Sequence, residues 1–432
     1  MDPLDAAVRS SEVANRRVLM IAFHFPPLRG SSGIQRTLRF VQHLPKYGWE
    51  SLVLSAHPRA YEDTSSDQLR EIPTSTVVRR AMAFNAARHF SVAGRYPNWL
   101  ALPDRWSSWI AGAVPLGLAM IRKYRPDVIW STYPVASAHV IGNHLARLSG
   151  LPWIADFRDP MAQVGYPSDP AQWRAFKRIE ERALHRADRS VFTTPGAAHS
   201  YAVRYPDVDA KRIGIIENGY DEETFASVEG GFRKTQLGRR VVLLHSGIIY
   251  PSERDPRALF RALAALKRRD VVNSENFSLK LRASGYDSMW GAVVRDLEIS
   301  DLVEIVPQLG YREALLEMLD ADSLLVLQAS NCNEQIPAKV YEYLRAGRPI
   351  LALTDLAGDT ATVLREAGLT SMARLDDQNA IEKALPAFLE RVRGGAEPRP
   401  VPAAVARSSR EGRAEQLAAL MDDTLARRAS GL

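Results

Sequence analysis

RIGIIENGYDEETFASVEGGFRKTQLGRRVVLLHS, Arg212 to Ser246, opens and closes on short apolar runs and is polar and glycine-bearing between them. The two runs read as strands and Asp221–Arg240 as a linker, because such a stretch can neither bury a face nor hold a ladder. On the N-terminal side the same run type recurs: Arg17–Phe23, Ser51–Ser55, Ser75–Ala81, Asp127–Ser131, Trp153–Phe157 and Ser190–Thr194. Amphipathic stretches such as Gly33–Lys46, Ser107–Lys123 and Ala136–Ser149 lie between them. On the C-terminal side the pattern restarts. Ser278–Ser284, Leu302–Pro307, Ser323–Gln328 and Pro349–Thr354 alternate with Pro256–Lys267, Asp287–Leu297, Arg312–Leu319 and Pro337–Ala346. Short runs apolar on both faces, each followed by a helix, are the mark of parallel sheets covered by helices.

The expected architecture is therefore α/β, with two doubly wound Rossmann-like domains facing each other across a cleft. Residues 17–225 form the first and 226–395 the second. Residues 1–16 are a disordered lead-in without the apolar core of a secretory signal. Gly394–Ala404 is loop-like, and 405–430 is a C-terminal helix with Leu417, Leu420, Met421 and Leu425 on one face. The 432 residues exceed what one ordinary core accommodates.

Composition narrows the class. A hydrophobic share of 46% with 25% charged residues is that of a globular chain, and the one cysteine, Cys332, rules out a disulfide framework. The longest apolar run, Trp109–Ile121, has 13 residues and contains Pro115; a membrane span needs roughly 20. It reads as a core helix, with a surface-dipping helix as the alternative. The net charge of +6 sits in the first half, with 28 basic and 22 acidic residues through 225 and 28 of each after it. The basic residues are scattered and not interleaved with aromatics, which argues against nucleic acid. Peripheral contact with an anionic membrane stays open. Walker A, HExxH, GxSxG and kinase signatures are absent.

Ligands of doubly wound folds bind outside the carboxyl ends of the strands. The first strand runs into HFPPLRGSSGIQR, where Gly30 and Gly33 give a turn whose backbone approaches a ligand closely before a helix begins. In the second half, Val241–Ser246 leads to Gly247, Arg254 and Arg257. Arg254 suits a diphosphate; the bland reading is an exposed arginine at a helix start. Asn333–Pro349, NEQIPAKVYEYLRAGRP, is the richest segment. Pro337 fits a first helical turn, the amides of Ala338 and Lys339 precede the first intrahelical bond, and Lys339 adds a charge, so the turn is an anion site. Glu342, three residues on, shares that face and is placed to accept ribose hydroxyls. Glu334 lies in the loop before the helix. The bland readings are a surface Lys339–Glu342 pair and a solvated Glu334. Asp156, Arg158 and Asp159 cluster at a strand end, with a structural Arg158–Asp159 pair as the plain alternative. Asp207-Val208-Asp209 lies in a polar link between a helix and a strand and carries no metal reading.

Together HFPPLRGSSGIQR, LPWIADFRDP, HSGIIYPSERDP, and the pair Glu334 and Glu342, spaced as E-x7-E and followed by YEYLRAGRPILAL, resemble glycosyltransferase family 4 of the GT-B fold over residues 16–395. The resemblance implies a retaining transferase that uses a nucleotide-diphosphate sugar, with no metal and no other cofactor. It implies that Gly30 and Gly33 face donor phosphate and acceptor, Arg254 and Lys339 bind the diphosphate, and Glu342 holds the ribose. Glu334 and His139 would lie at the transferred sugar, and Thr360 at a further helix N-terminus. The acceptor would be a glycan or a lipid-linked molecule, and the protein cytoplasmic, at most peripheral at the inner membrane face. Two departures stand out: Gln335-Ile336-Pro337 replaces the usual Phe-Gly type after Glu334, and no lysine matches Arg254 in the phosphate clamp. A nucleotide-sugar 2-epimerase or hydrolase of the same architecture, and a degenerate binding protein, are the other readings.

Overall fold

The computed structural model describes residues 16–29, 33–91, 95–163, 165–230 and 240–430. The lead-in therefore falls outside the described residues apart from Arg16, and so does Gly30. The chain divides into two compact units. The first comprises 1–193, 197–217 and 411–432, and the second 194–196 and 218–410.

The first unit is built on seven parallel strands: β1 (Arg16–Ile21), β2 (Trp49–Ala56), β3 (Val77–Ala81), β4 (Val128–Thr132), β5 (Trp153–Arg158), β6 (Arg189–Phe192) and β7 (Ile213–Ile215). Their order is β3-β2-β1-β4-β5-β6-β7, so the direction of winding reverses between β1 and β4. β4 and β5 are buried along their whole length, while β3, at the edge, exposes Arg79. Charge on an edge strand blunts pairing with other chains.

The apolar Trp109–Ile121 run lies in the helix Ser108–Tyr124. It packs on the helix Ser137–Ser149 so closely that a methyl on Gly117 would meet Leu145 Cδ1 at 2.5 Å. This is the core-helix reading. No helix among the described residues is long and apolar enough to cross a membrane.

The C-terminal helix Arg410–Ala429 belongs to this first unit. Ala414, Leu417 and Met421 are fully buried against a layer that includes Val18, Met20, Phe40 and Trp130. Arg413 adds a hydrogen-bonded ion pair with Glu217 at 2.5 Å.

The second unit has six parallel strands: β8 (Val241–Ser246), β9 (Phe277–Arg282), β10 (Val303–Val306), β11 (Ser323–Leu327), β12 (Ile350–Leu353) and β13 (Met372–Ala373). Their order, β10-β9-β8-β11-β12-β13, puts the reversal between β8 and β11. The stretch expected as a linker contains the helix Glu222–Glu229, which buries Phe225 and Val228 three residues apart. Arg345 clamps this helix with charge-assisted bonds to Glu222 at 2.6 Å and Glu229 at 2.8 Å. The polar composition hid it, because its two buried side chains suffice once Arg345 neutralises the acidic face. Residues 231–239 lie outside the described residues.

Candidate active site

At the reversal in the second unit, β8 ends in His245 and Ser246, followed by Gly247. His245 is fully buried, and its Nδ1 lies 2.9 Å from the Leu325 carbonyl, to which it donates. That leaves Nε2 as an acceptor, 3.1 Å from the Lys339 ammonium. Burial and then the Lys339 charge hold the imidazole well below its usual pKa, so it stays neutral. Gly247 has φ 115° and donates its amide to Arg282 O at 2.8 Å. A side chain there would be strained, and its Cβ would sit 2.8 Å from Lys339 Nζ.

Lys339 opens the eight-residue helix Lys339–Ala346, just past Pro337, where the sequence put its first turn. The amides of Ala338 and Lys339 precede the first turn bond, in which Val340 donates to Pro337 O at 2.9 Å. Lys339 keeps part of its surface in solvent, yet burial of its charged end, then the nearby Arg254, brings its pKa down to about 7; Glu342 acts in the opposite sense. Arg254 donates Nη1 to the Ile248 carbonyl at 2.9 Å and lies over the Tyr250 ring, with Nε buried and unbonded. Among the described residues, neither Lys339 nor Arg254 pairs with a carboxylate. Among the described residues, two cations and a helix N-terminus thus stand together without a counter-ion. Arg257, the first residue of the helix Arg257–Arg268 that follows, is neutralised by Asp255 at 3.0 Å.

Glu342 follows on the same helix. Tyr311 donates its hydroxyl to Glu342 Oε1 at 2.9 Å. Burial raises the carboxyl's pKa, against the lowering field of Arg410 and the Tyr311 bond. Glu334 is exposed, in a loop whose backbone is held from three sides. Gln328 Nε2 donates to Cys332 O at 2.7 Å and Gln335 O at 3.1 Å, Asp359 N donates to Asn333 O at 2.9 Å, and Thr360 Oγ1 donates to Gln335 O at 3.1 Å. Thr360 is 1% exposed, so its hydroxyl braces the Glu334 loop.

The remaining sequence candidates lie in the first unit. His139 is 1% exposed, its Nδ1 2.8 Å from Ser131 Oγ, with Phe157 at 5.0 Å between ring centroids. Burial lowers it to about 4, against a raising field from Asp156. It is a neutral core imidazole, and its Nε2 is buried without a partner. Gly33 begins the helix Gly33–His43. The buried ion pair of this region is not Arg158–Asp159. Arg36 donates Nε and Nη2 to both oxygens of Asp156 at 2.9 Å. Asp207 bonds His185 at 2.7 Å and Asp209 caps a short turn by accepting from Lys211 N at 2.9 Å.

Sequence reasoning missed His245 and Tyr311. His245 stood in the quoted HSG motif two residues before Gly247, a strand period that puts both on one face. Tyr311 had no such signal, since only the fold brings it to Glu342.

The comparisons agree with this architecture. Residues 32–219 match the glycosyl transferase 4-like domain model. Among curated proteins none matches the chain. Sucrose-phosphate synthase from Thermosynechococcus elongatus superposes with a TM-score of 0.64 at 16% identity, covering 95% of this chain and 99% of that one. HepE from Anabaena, solved in complex with UDP-glucose, gives 0.58 at 14%, covering 96% and 100%. Trehalose 6-phosphate synthase from Burkholderia multivorans gives 0.61 at 13%, covering 96% and 98%. The chain thus has the GT-B fold of two Rossmann-like units, and its residues 32–219 are similar to a glycosyl transferase 4-like domain.

Proposed function

We propose that this chain is a retaining glycosyltransferase that moves a sugar from a nucleotide-diphosphate sugar to a glycan or lipid-linked acceptor in glycoconjugate assembly. The observation that carries the reading is the pair Lys339 and Arg254, unneutralised beside the helix N-terminus at the end of β8. Two cations without a counter-ion are matched by a diphosphate, and the UDP-glucose complex of HepE supports a donor of that chemistry. Glu342, oriented by Tyr311, is the ribose ligand in this reading, and Glu334 lies at the transferred sugar.

The reaction breaks the bond from the anomeric carbon to the diphosphate oxygen and forms one from that carbon to the acceptor oxygen. Charge develops on the leaving diphosphate, where Lys339, Arg254 and the helix amides stabilise it. The acceptor attacks on the face the leaving group vacates, and its proton passes to a leaving phosphate oxygen. No protein base is assigned, and the buried, neutral His139 is given a positioning role only. The reading requires no metal, so turnover in EDTA is expected to match turnover without it. It also puts the protein in the cytoplasm, with peripheral contact to anionic lipid; recovery in the soluble fraction after flotation with anionic vesicles would remove that contact.

The decisive test is a panel of nucleotide sugars assayed for binding, then turnover with and without acceptor. Binding that is lost in Lys339→Ala and Glu342→Ala supports the reading. If no nucleotide sugar binds and neither variant changes anything, the transferase reading fails. Epimerised donor without acceptor would instead establish the epimerase alternative.

A further inference from the structure

The amino end of the first sheet holds a cavity of about 460 Å3 whose charged lining is Arg147, Arg186, Arg428 and Asp188. Its apolar wall is Ala146, Leu151 and Trp153. The volume lies in the range of small-molecule sites, roughly 300–1,000 Å3. Three helices end around it. Arg147 lies in the last turn of the helix Ser137–Ser149, Arg186 closes the helix Pro170–Arg186, and Arg428 lies in the last turn of the helix Arg410–Ala429. Leu151 and Trp153 lead into β5, and Asp188 directly precedes β6. Asp188 donates its amide to the Trp153 carbonyl at 2.8 Å, which fixes the two strand starts side by side.

Three guanidiniums share one carboxylate there, and that carboxylate is already engaged. Asp188 Oδ2 accepts from Trp153 N at 2.8 Å, and Oδ1 pairs with Arg428 Nε at 3.3 Å. Arg428 is held further by donating Nη1 to the Gly150 carbonyl at 2.5 Å. Arg186 donates Nη1 only to the neutral Asn143 Oδ1, at 3.4 Å. Among the described residues neither Arg147 nor Arg186 pairs with a carboxylate. Neighbouring arginines do: Arg427 bonds Asp423 at 3.0 Å, and Arg189 bonds the same carboxylate. The cavity lining thus carries two positive charges in excess beside an apolar wall. Trp153 is 1% exposed and spends its indole N–H on Ser131 Oγ at 2.8 Å, so it offers the cavity carbon surface alone. A phosphomonoester brings about two negative charges at pH 7 and three acceptor oxygens, which guanidinium forks bind in pairs.

We propose that Arg147, Arg186 and Arg428 form a binding site for a phosphomonoester with a small, partly apolar body. It lies at the end of the first sheet opposite the carboxyl ends, where doubly wound folds place their reacting ligands. Among the described residues no free acid or base lines it, so the occupant is held and not turned over. The site stands apart from the transferase reading, because Lys339 and Arg254 belong to the other unit.

The test is calorimetric titration of the full chain at pH 7.5 with phenyl phosphate, inorganic phosphate and phenol. It compares wild type with Arg147→Met, Arg186→Met, Lys339→Ala and Arg122→Met, the last an exposed arginine of the same unit outside the cavity. Wild type is expected to bind phenyl phosphate saturably and phenol without measurable heat. Arg147→Met and Arg186→Met should each weaken phenyl phosphate at least about tenfold, the size expected for losing a charged hydrogen-bond donor. Inorganic phosphate should bind more weakly than phenyl phosphate, since it leaves the Ala146, Leu151 and Trp153 wall uncovered. Lys339→Ala and Arg122→Met should change neither affinity. Flotation with vesicles of phosphatidic acid in phosphatidylcholine identifies the source of the phosphate. Flotation abolished by Arg147→Met puts it on a lipid headgroup, and flotation indifferent to Arg147→Met puts it on a soluble ester. Arginines that only offset the dipoles of their helix C-termini would lower the thermal midpoint when replaced and give no saturable binding; that result overturns the site. So does a loss as large in Arg122→Met as in Arg147→Met, or a loss in Lys339→Ala alone. Arg147-dependent binding in a chain that binds no nucleotide sugar sinks the donor reading and leaves this site standing.

Discussion

An ammonium stripped of water and set beside a guanidinium releases its proton readily, and Lys339 is in that position, with a pKa of about 7. A diphosphate restores the lost attraction, so binding a fully ionised nucleotide draws a proton onto Lys339 once the pH exceeds that value. The dissociation constant of UDP is expected to rise by up to about tenfold per pH unit between pH 7 and 9, and Lys339→Met should flatten the profile. A flat wild-type profile by calorimetry would show that this lysine does not meet the nucleotide. At Gly247 the limit is steric. Gly247→Ala puts a methyl 2.8 Å from Lys339 Nζ at φ 115°, so UDP affinity should fall while the fold persists, with a stability loss of about 1–3 kcal/mol. Lys339, Glu342 and Gly247 were legible because helix spacing and a glycine after a strand are local signals. Tyr311 and the brace from Thr360 to Gln335 O were not, because each joins parts of the chain tens of residues apart.

Among the elements, β5 shows how a strand end is divided between structure and chemistry. Asp156 points to the Arg36 pair and is fully buried, while the bulge turns Arg158 elsewhere. Breaking that pair leaves Arg36 buried and unneutralised, so Asp156→Asn should lower unfolding free energy by about 3–5 kcal/mol in urea. Asp159→Asn, on an exposed residue, should change it little. A small loss at Asp156 would mean that the Ile216 and Glu217 carbonyls, which also accept from Arg36, satisfy it alone. The strand runs were readable to within a few residues, since a run apolar on both faces has few other uses; the two-residue β13, Met372–Ala373, was not. Which of the charged residues at the end of β5 pair with which was not, because a bulge alters the alternation on which such reading depends.

At the scale of the whole molecule, the chain leaves the first unit after Glu217 and returns to it at Glu411. The returning helix supplies core, so Leu417→Ala should destabilise the first unit by about 2–5 kcal/mol. Leu420→Ala, only partly buried on the same helix, should lose much less. Equal small losses in denaturant melts would mean the helix is not part of that core. Both units also bury neutral histidines: His139 is lowered to about 4 by burial, and His245 is held well below its usual value by burial and then by the Lys339 charge; the half-buried His24 is likewise lowered to about 4. Their folded pKa values lie below the unfolded one of 6.5, so the unfolded chain binds more protons in acid. Stability should then fall as pH drops from 6.5 toward 4, on the order of 1 kcal/mol per pH unit for each fully buried histidine. A double variant, His139→Gln with His245→Gln, should show a shallower decline.

By itself the sequence determined the α/β class, the duplication, the positions of the strands up to β12 and the helix turn that bears Lys339 and Glu342. These follow from periodicity and from the chemistry of a few adjacent residues, which a linear reading captures. The tertiary structure alone decided that the C-terminal helix completes the first unit, that the supposed linker holds a helix clamped by Arg345, and that Asp156 belongs to Arg36. It also decided that His139 is a core residue and that, among the described residues, Arg158 pairs with no carboxylate. Each of these depends on which distant groups share a low-dielectric neighbourhood, and only packing brings such groups together.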